Sequence, residues 1–495
     1  MFFSRLETLC HQHPHQPALC NARTTLSYAE LLAAVETTAA TLRSAEIHCL
    51  GLLLDNSPAW VIMDLAALHA GITVVPLPTF FSRAQMAHVI QDAGIDALCT
   101  GLADDTGWDG FAAAAAPVPQ TRLFIATRTP DRPALPTGTA KITFTSGTTG
   151  TPKGVCLDAD AMYRVAEAVV QATVDCRIER HLCLLPLSLL LENITGVYAP
   201  LLAGATVMLP DSMERGLLGS QQLDIARLLD CLQRYRPDSL VLVPQILKAL
   251  TVVCQQGQPL PDSLRFVAVG GARVAPALLT AARSCGIPAY EGYGLSECAS
   301  VVTLNTPAAD CVGAVGKPLP HVKLRVTDDG EIQVAGAVML GYAGQSACTE
   351  TWHATGDLGF IDADGYLHLT GRRKNVFVTA YGRNVNPEWP ESELTRHAQI
   401  AHAVVFGEAR HHNTAVIVPA AQQLQDKDIA ALVNEANETL PDYARIHNWI
   451  RADSPFTPDN GLLTASGKPR RDQVWAHYRA AIDSLDTASD IQETA

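Results

Sequence analysis

A stretch of thirteen residues, 143–155, constrains this chain more than any other feature. It reads Thr-Phe-Thr-Ser-Gly-Thr-Thr-Gly-Thr-Pro-Lys-Gly-Val, and the pattern before it predicts a short strand over 141–144. Its glycines let the main chain approach an anion closely, its hydroxyl groups donate hydrogen bonds, and Lys153 adds a positive charge. The stretch therefore predicts a loop, placed directly after a strand, that wraps a polyphosphate.

The loop does not follow the pattern of the common P-loop of nucleoside triphosphatases. That pattern needs four residues between its glycines and a Ser or Thr after the lysine. Here two residues separate Gly147 from Gly150, and Gly154 follows Lys153. A mobile surface turn also uses Ser, Thr and Gly, so the residue types by themselves leave that interpretation open.

The first half of the chain alternates strand and helix patterns, which is typical of an α/β fold. Ser27 and Glu30 form a predicted capping box, and the helix that they start runs to residue 42. The later predicted elements are a strand over 49–54, a helix over 59–70, a strand over 73–76, a Pro- and Thr-rich connector over 116–139, hairpin turns at 328–330 and 362–365, and an acidic solvated tail from 483.

Four further motifs follow the loop in order. They are Tyr-Glu-Gly-Tyr-Gly-Leu-Ser-Glu at 290–297, Thr-Gly-Asp-Leu-Gly at 355–359, Gly-Arg-Arg-Lys-Asn at 371–375 and Thr-Ala-Ser-Gly-Lys-Pro-Arg-Arg at 464–471. With the loop, they resemble the acyl-adenylate-forming (AMP-binding) superfamily of acyl-CoA synthetases, nonribosomal-peptide adenylation domains and luciferases. The resemblance covers nearly the whole chain. It implies an α/β fold with a large N-terminal domain of α/β subdomains over 1–370, a hinge at 371–375 and a small mobile α+β domain over 376–495.

The resemblance also implies a reaction, an AMP-forming acid–thiol ligation. A small-molecule carboxylic acid would be activated by ATP as acyl-AMP and then transferred to a thiol, most often coenzyme A. Bringing a carboxylate to a triphosphate requires cations where negative charge accumulates. The candidates are Mg²⁺, Lys153, Arg372 and Lys468. Two alternatives stay open: a ligase that loads the phosphopantetheine of an acyl carrier protein, and a nucleotide-binding sensor or scaffold without turnover.

The resemblance assigns roles to individual residues. Glu297 would hold the magnesium ion, a suitable task for a hard oxygen ligand, and Lys153 and Lys468 would act in catalysis. Tyr293 would stack beside adenine, and Asp357 would accept hydrogen bonds from both ribose hydroxyls. The full set of implied nucleotide- and cofactor-binding residues is Thr145, Ser146, Gly147, Thr148, Thr149, Gly150, Lys153, Gly270, Gly271, Ala272, Tyr293, Gly294, Asp357, Arg372 and Gly382.

Three positions in the C-terminal part would serve different steps of the reaction. Lys374 falls at the family's hinge, Lys468 matches the mobile lysine of adenylation, and Gly382 resembles the glycine that lines the thiol tunnel. The chain departs from the family in the segment 387–391, Pro-Glu-Trp-Pro-Glu, where Pro-x-Glu-Ile-Glu is usual. The start of the following helix is therefore expected to be altered.

The segment 187–191, Leu-Ser-Leu-Leu-Leu, bears on the acid substrate. Acyl-CoA synthetases often carry a histidine where Leu189 stands here. Amino-acid-activating relatives place an aspartate against the α-ammonium group, since an unpaired buried charge is costly. Glu192 is the nearby carboxylate in this chain. The sequence therefore favours an acid without an α-amino group, a fatty acid before an aryl acid.

Two motif-like patterns predict other functions only weakly. The run from Gly294 to Cys298 differs from the Gly-x-Ser-x-Gly elbow of serine hydrolases, because Cys298 stands where the turn needs a second glycine. Asp362 and Asp364 lack the remaining ligands of a calcium loop, which leaves a hairpin turn as the interpretation.

Composition excludes several classes of protein. A formal net charge of −14 disfavours nucleic acid as a partner. The thirteen cysteines form no C-x-x-C pair, and the first residues carry no apolar run of signal-peptide length, so we expect a cytoplasmic location. Proline and glycine interrupt the apolar stretch 182–210, which predicts no transmembrane segment there. Peripheral membrane contact remains open.

Overall fold

The computed structural model describes residues 2–493 apart from 102–107, 109, 113–116, 119–120, 122, 131–132, 146–151, 219–221 and 465. Its α-helices are α1 (Phe2–Gln12), α2 (Tyr28–Ser44), α3 (Pro58–Ala70), α4 (Arg83–Asp92), α5 (Ala159–Ala172), α6 (Leu190–Glu192), α7 (Ala199–Ala203), α8 (Ser212–Arg215), α9 (Ile225–Tyr235), α10 (Pro244–Gln255), α11 (Pro276–Ser284), α12 (Glu388–Thr395), α13 (Asp426–Glu438) and α14 (Arg471–Glu493). A π-helix, Asn193–Tyr198, joins α6 to α7, and 3₁₀ turns lie at Val174–Cys176, Ser296–Cys298 and Asp442–Ala444.

The strands are short and follow the helices in regular alternation through the first half. They are β1 (Pro17–Cys20), β2 (Thr25–Ser27), β3 (Cys49–Leu52), β4 (Thr73–Pro76), β5 (Ala97–Thr100), β6 (Phe124–Thr127), β7 (Lys141–Thr145), β8 (Lys153–Leu157), β9 (Arg180–Leu182), β10 (Thr206–Met208), β11 (Leu217–Leu218), β12 (Gln222–Leu223), β13 (Ser239–Leu242), β14 (Phe266–Val269), β15 (Ala289–Tyr293), β16 (Thr303–Leu304), β17 (Lys317–Pro318), β18 (Val322–Val326), β19 (Glu331–Gly336), β20 (Gly341–Tyr342), β21 (His353–Ile361), β22 (Leu367–Arg372), β23 (Phe377–Val378), β24 (Asn384–Val385), β25 (Ile400–Phe406), β26 (Asn413–Pro419) and β27 (Ile446–Arg451).

One sheet has the order β20-β8-β7-β4-β3-β5-β6. Its inner strands are parallel and buried on both faces, which is why they read as continuous apolar runs. Neighbouring residues serve opposite faces, as the strand period of two requires. Val74 packs in the core with α2 and α3, whereas Val75 packs in the core with α4.

A second sheet has the order β17-β16-β15-β14-β13-β9-β10-β1-β2. The strands from β15 to β1 in this order are parallel. The carboxyl ends of β13, β14 and β15 therefore meet at one edge of the sheet, the place where open α/β sheets bind ligands. A separate core packs α9, α10 and α11 against these strands.

The C-terminal part is built on the sheet β25-β26-β27. Side chains of α12 and α13 pack on one face with Val405 and Ile417, and side chains of α14 pack on the other with Val404 and Val416. Before it lies the antiparallel sheet β18-β19-β21-β22, in which Asp357 and Arg372 stand directly opposite each other.

Several local predictions are confirmed. α2 begins after Ser27, whose side chain accepts from the Glu30 amide, while the Glu30 carboxylate accepts from the Ser27 amide at 2.8 Å. β4 has the predicted bounds, and the predicted turns at 328–330 and 362–365 connect the antiparallel pairs β18–β19 and β21–β22.

Two predictions of irregular structure are wrong. Within the expected connector, Phe124–Thr127 forms β6 and pairs with β5, because tertiary pairing completes a strand too short to stand out in the sequence. The expected acidic tail is instead the end of α14. Val474, Tyr478 and Ile482 recur at every fourth position and bury one face of this helix, which stabilises it despite its acidic end.

The segment 387–391, in which this chain departs from the family, still begins a regular helix. α12 begins at Glu388 after Pro387, and Pro390 falls in the first turn. Backbone amides there have no acceptor within the helix, so a proline costs little. Among the described residues, we find no helix that is long and apolar enough to cross a membrane.

Candidate active site

A cavity of about 1540 Å³ lies between the carboxyl ends of the second sheet's strands and the C-terminal part of the chain. It is lined by the predicted site residues Thr145, Lys153, Gly270, Gly271, Ala272, Tyr293, Gly294, Glu297, Asp357, Arg372 and Lys468. The fold therefore brings together residues that are spread over more than three hundred positions. The predicted loop residues Ser146, Gly147, Thr148, Thr149 and Gly150 lie outside the described residues.

Asp357 is the centre of one polar group. Its carboxylate accepts from Arg372 Nε at 2.8 Å and from the Tyr293 hydroxyl at 2.7 Å, and its side chain is only 6% exposed. Arg372 arrives through the β21–β22 register, and Tyr293 ends β15. Burial by itself would lower the pKa of Arg372. The negative charges of Asp357 and Glu388 act in the opposite direction and outweigh burial, so the pKa of Arg372 is raised. Because Arg372 balances the negative charge of Asp357, this carboxylate can still accept hydrogen bonds from the hydroxyl groups of a ligand.

Glu297 belongs to a second polar group that lines the cavity. Its Oε1 accepts from the Tyr342 hydroxyl at 3.1 Å. Lys153 Nζ lies 5.6 Å from the centre of the Tyr342 ring, a cation–π distance. β20 carries Tyr342 and pairs with β8, which begins at Lys153, so sheet pairing holds this cation near the carboxylate. Burial, with Glu297 second, raises the pKa of Tyr342 well above its ordinary value, so the hydroxyl keeps its proton for donation.

Lys468 enters the cavity from the C-terminal part. Its Nζ donates to the carbonyl oxygen of Gly271 at 3.0 Å. Thr464 closes the supporting turn, since its amide donates to the Lys468 carbonyl and its hydroxyl accepts from the Lys468 amide. Loss of solvation, and then the positive charge of Arg372, lower the pKa of Lys468, although the side chain still meets solvent in the cleft. An anion bound between Lys468 and Arg372 would relieve the repulsion between these two positive charges.

The glycines of the cavity wall are required by close approach of the main chain. A Cβ atom at Gly294 would lie 1.6 Å from the Ser300 carbonyl oxygen, and one at Gly270 would lie 3.2 Å from that of Gly292. Positions 270–272 follow β14 directly, and together with Tyr293 they line the cavity.

Among the predicted site residues that the structure describes, Gly382 is the one that lies outside the cavity. It lies in an exposed turn with φ +69°, closed by a hydrogen bond from its amide to the Thr379 carbonyl at 2.9 Å. It does not line the cavity, whereas the predicted hinge residue Lys374 does.

An apolar region extends the cavity along α5 and the helical segment 190–203. Its walls include Val169, Val170, Ile178, Leu189, Leu190, Leu191, Thr195 and Ala199. The leucines that the sequence singled out thus line the cavity, with Leu189 among them. Glu192 is fully buried behind this wall, where burial raises the pKa of its carboxyl.

Comparison with known proteins agrees with this arrangement. Residues 6–343 match the model of the AMP-binding enzyme family, and residues 374–490 match that of the AMP-binding enzyme C-terminal domain. The chain belongs to the AMP-binding enzyme family. Both the predicted family and the predicted fold class, with a large N-terminal and a small C-terminal domain, are confirmed.

Two ligases and one solved synthetase structure are similar to this AMP-binding enzyme. Long-chain-fatty-acid–CoA ligase FadD15 of Mycobacterium bovis is 29% identical, with 86% of each chain covered. 2-Succinylbenzoate–CoA ligase of Bacillus velezensis is 29% identical over 72% of this chain and 74% of its own. O-Succinylbenzoate CoA synthetase of Bacillus subtilis, solved with ATP and magnesium, shares the fold with a TM-score of 0.74 at 24% identity, covering 95% and 98%.

Sequence reasoning missed a buried network at β7, the strand that precedes the predicted phosphate loop of this AMP-binding enzyme. Lys141 Nζ lies 2.8 Å from Asp64 Oδ1 and donates to the Tyr198 hydroxyl at 2.9 Å and to the Asn193 side-chain oxygen. The Tyr198 hydroxyl donates in turn to Asp64 at 2.7 Å. The sequence offered one signal for this network. Lys141 lies in an apolar strand and Asp64 in an apolar helix, and buried charges of opposite sign normally pair. The network ties β7, which leads into the loop, to α3 and the π-helix.

Proposed function

We propose that this AMP-binding enzyme is an AMP-forming acid–coenzyme A ligase. In the first half-reaction a carboxylate oxygen attacks the α-phosphorus of ATP, and pyrophosphate leaves. In the second, the coenzyme A thiol attacks the acyl carbon, its proton is released, and AMP leaves with the electrons of the broken acyl–oxygen bond. The observation that carries the proposal is the entry of Lys468 into the cavity that also contains Asp357 and Arg372. The names of the two CoA-ligase relatives support it.

The nucleotide would lie along the edge formed by β14 and β15. Asp357 would accept from the ribose hydroxyls, Tyr293 and the wall at 270–272 would flank the base, and Arg372 would face the ribose or phosphate. Lys468 would lie between the carboxylate and the α-phosphate, where negative charge accumulates in the transition state.

Glu297 fits the role of a magnesium ligand. It is a carboxylate partly open to the cavity, and Tyr342 already orients one of its oxygens. Magnesium prefers such hard oxygen ligands together with substrate phosphates. Lys153 and Thr145 face each other across β7 and β8, at the two ends of the predicted phosphate loop.

We infer that the acid is a fatty acid. The support is the apolar wall contributed by α5 and Leu189–191, together with the absence of a carboxylate in that wall among the described residues. Glu192, the nearby carboxylate, has neither oxygen exposed to the cavity. An α-ammonium group would therefore be buried without a partner, at a cost of several kcal/mol.

We further propose that residues 1–370 and 376–495 move relative to each other about a hinge at 371–375. The contact between Lys468 and Gly271 then belongs to the adenylation orientation. Gly382, exposed and outside the cavity in this structure, would reach the thiol path only after the C-terminal part rotates. The turn at the hinge is short, with the amides of Asn375 and Val376 both donating to the Arg372 carbonyl.

The test is acid-dependent exchange of labelled pyrophosphate into ATP, over a panel of straight-chain fatty acids, aryl acids and amino acids. We expect exchange with fatty acids and none with amino acids. Exchange with no acid of the panel would refute the enzyme and favour the nucleotide-binding sensor or scaffold.

The acceptor is tested separately, with supplied acyl-AMP. Free coenzyme A and a phosphopantetheinylated acyl carrier protein are compared at equal concentration. We expect thioester formation with free coenzyme A. Transfer to the carrier protein alone would replace the proposal by its carrier-loading alternative.

A further inference from the structure

At the wall of the cavity, which His181 itself helps to line, three side chains of metal-binding type converge. His181 lies in β9, Cys183 follows directly after that strand, and Glu192 ends α6. All three are fully or almost fully buried. One ligand atom from each, His181 Nε2, Cys183 Sγ and a Glu192 oxygen, lies within 4.8 Å of the other two.

These atoms lack the hydrogen bonds that buried polar groups normally make. His181 Nε2 and both Glu192 oxygens are sealed from solvent and have no hydrogen-bond partner among the residues that the structure describes. The distance from His181 Nε2 to Glu192 Oε1 is 3.8 Å, too long for a hydrogen bond. Buried polar side-chain atoms without a hydrogen-bond partner are uncommon in folded proteins, which marks this cluster as a candidate ligand site.

Neighbouring residues direct the ligand atoms of the cluster toward one another. His181 Nδ1 makes a hydrogen bond of 2.8 Å with the Ser239 hydroxyl, and when this nitrogen carries the proton, Nε2 is left as a lone pair. Position 196 of the π-helix is a glycine, at which a Cβ atom would lie 3.0 Å from both Glu192 Oε1 and His181 Nε2 and 3.2 Å from Cys183 Sγ. The π-helix, a form often found at functional sites, thus keeps the space beside the three atoms clear.

We propose that His181, Cys183 and Glu192 bind one divalent transition-metal ion of the zinc type. Imidazole nitrogen, thiolate sulfur and carboxylate oxygen are the ligands that zinc takes in proteins, whereas magnesium and calcium avoid sulfur. A dication also balances one thiolate and one carboxylate, so the site is neutral with a neutral imidazole. The thiol would give up its present hydrogen bond to the Gly196 carbonyl, at 3.3 Å, on binding the ion.

A substrate substituent fits the cluster less well than an ion. The unpartnered atoms face one another and have no exposed surface toward the cavity. An ion between them satisfies all three at once, with a water completing the four-coordinate shell that zinc prefers. The ion would cross-link β9 to the segment 190–198 that forms the cavity wall. Its role is structural, and the two half-reactions do not pass through it.

The chain offers a matched control cluster on its surface. Cys311, Asp362 and His368 meet the same distance criterion but are partly exposed. There His368 Nε2 already lies 2.8 Å from Asp362 Oδ2, and the other Asp362 oxygen accepts two backbone amides. With its carboxylate satisfied by the protein, this cluster has no need of an ion.

The experiment is a cobalt(II) titration of the full-length protein after removal of metal with a chelator under reducing conditions. We expect binding of one cobalt ion per chain, with a thiolate-to-cobalt charge-transfer band in the near ultraviolet. Cys183→Ser should abolish this band, and Cys311→Ser should retain it. Ser239→Ala, which removes only the orienting hydroxyl, should weaken cobalt binding roughly tenfold.

A second measurement guards against misfolded variants. X-ray absorption of the zinc-loaded wild-type protein should show one sulfur and the remainder nitrogen or oxygen in the metal shell. A wild-type protein that takes up no stoichiometric metal would overturn the proposal, as would a charge-transfer band that survives Cys183→Ser and disappears in Cys311→Ser.

Discussion

The hydrogen bond from Lys468 Nζ to the Gly271 carbonyl, 3.0 Å long, joins residues that are 197 positions apart. A second bridge crosses the same interface. Lys248, on α10, donates to the carbonyls of Thr395, His397 and Ile400 at 2.7, 2.6 and 3.1 Å. These acceptors lie at and beyond the carboxyl end of α12, where a helix attracts a cation. The two lysines together hold the C-terminal part in the orientation that the structure shows.

Lys468→Ala should abolish acyl-adenylate formation while leaving thioester formation from supplied acyl-AMP. The charge is needed only while the carboxylate and the α-phosphate are brought together, and loss of one such group costs on the order of a hundredfold or more. Pyrophosphate exchange measures the first step and thioester yield the second. Lys427→Ala, at an exposed site on α13, is the control and should change neither rate. Normal exchange in Lys468→Ala would remove this lysine from the reaction.

Gly382→Leu should give the opposite pattern, with exchange retained and thioester yield lost. A side chain there would obstruct the thiol path after rotation, but in the present orientation a Cβ atom at this position would have no atom of the described residues within 4 Å. The positive φ of +69° adds strain of about 1–2 kcal/mol for leucine. Gly365→Leu carries comparable strain, with φ +84° in an open hairpin, and should keep both steps. Equal loss of thioester yield in both variants would indicate strain rather than obstruction.

Lys248→Met should slow adenylation by weakening the orientation of the C-terminal part, although Lys248 also contributes to the lining of the cavity. Methionine keeps much of the buried length but cannot donate to the three carbonyls, and loss of these charged hydrogen bonds costs roughly 2 kcal/mol. The populated fraction of the adenylation orientation should fall by up to about thirtyfold, with a parallel loss of exchange. Thioester formation from supplied acyl-AMP should be unchanged or faster. Equal slowing of both steps would argue that Lys248 stabilises the fold rather than the orientation.

Glu291 should make the protein less stable as the pH rises. Burial raises the pKa of this carboxyl from 4.5 to about 8, although its Oε1 accepts from the Val274 amide at 3.2 Å. The folded state therefore keeps a proton that the unfolded state loses, and the free energy of unfolding falls by about 1.4 kcal/mol per pH unit across that window. Glu291→Gln removes this dependence, so its denaturation midpoint should vary less between pH 5 and 8. The exposed Glu167→Gln is the control and should follow the wild type.

Chain length should govern how well fatty acids support exchange. Each methylene placed on the apolar wall contributes about 0.8 kcal/mol until the cavity is full. The ratio of kcat to KM should therefore rise severalfold per carbon and then level off. A substitution that narrows this wall, Leu189→Trp, should move the plateau to shorter acids, whereas Leu217→Trp, on β11 and outside the cavity lining, should not. A flat dependence on chain length would contradict the fatty-acid proposal.

The sequence by itself determined those elements that are stabilised by residues close together in the chain. The Ser27–Glu30 capping box places the start of α2, because both partners lie within one helical turn. The turns at 328–330 and 362–365 set two antiparallel pairs for the same reason. The ordered motifs identified the family and the residues of the cavity, since a resemblance in sequence carries positions with it. These motifs did not predict the distances or the hydrogen bonds between those residues.

Tertiary structure decided which distant residues meet. The β21–β22 register brings Arg372 to Asp357, and the parallel order of the second sheet adds Tyr293. No periodicity predicts the π-helix at 193–198, because packing against His181 and Cys183 and the Lys141–Asp64 pair stabilises it from outside. Lys248 meets the carbonyls at the end of α12 because the fold brings α10 beside them. Hydrogen bonds and burial between segments depend on the path of the whole chain, and that path is set only when all the cores pack together.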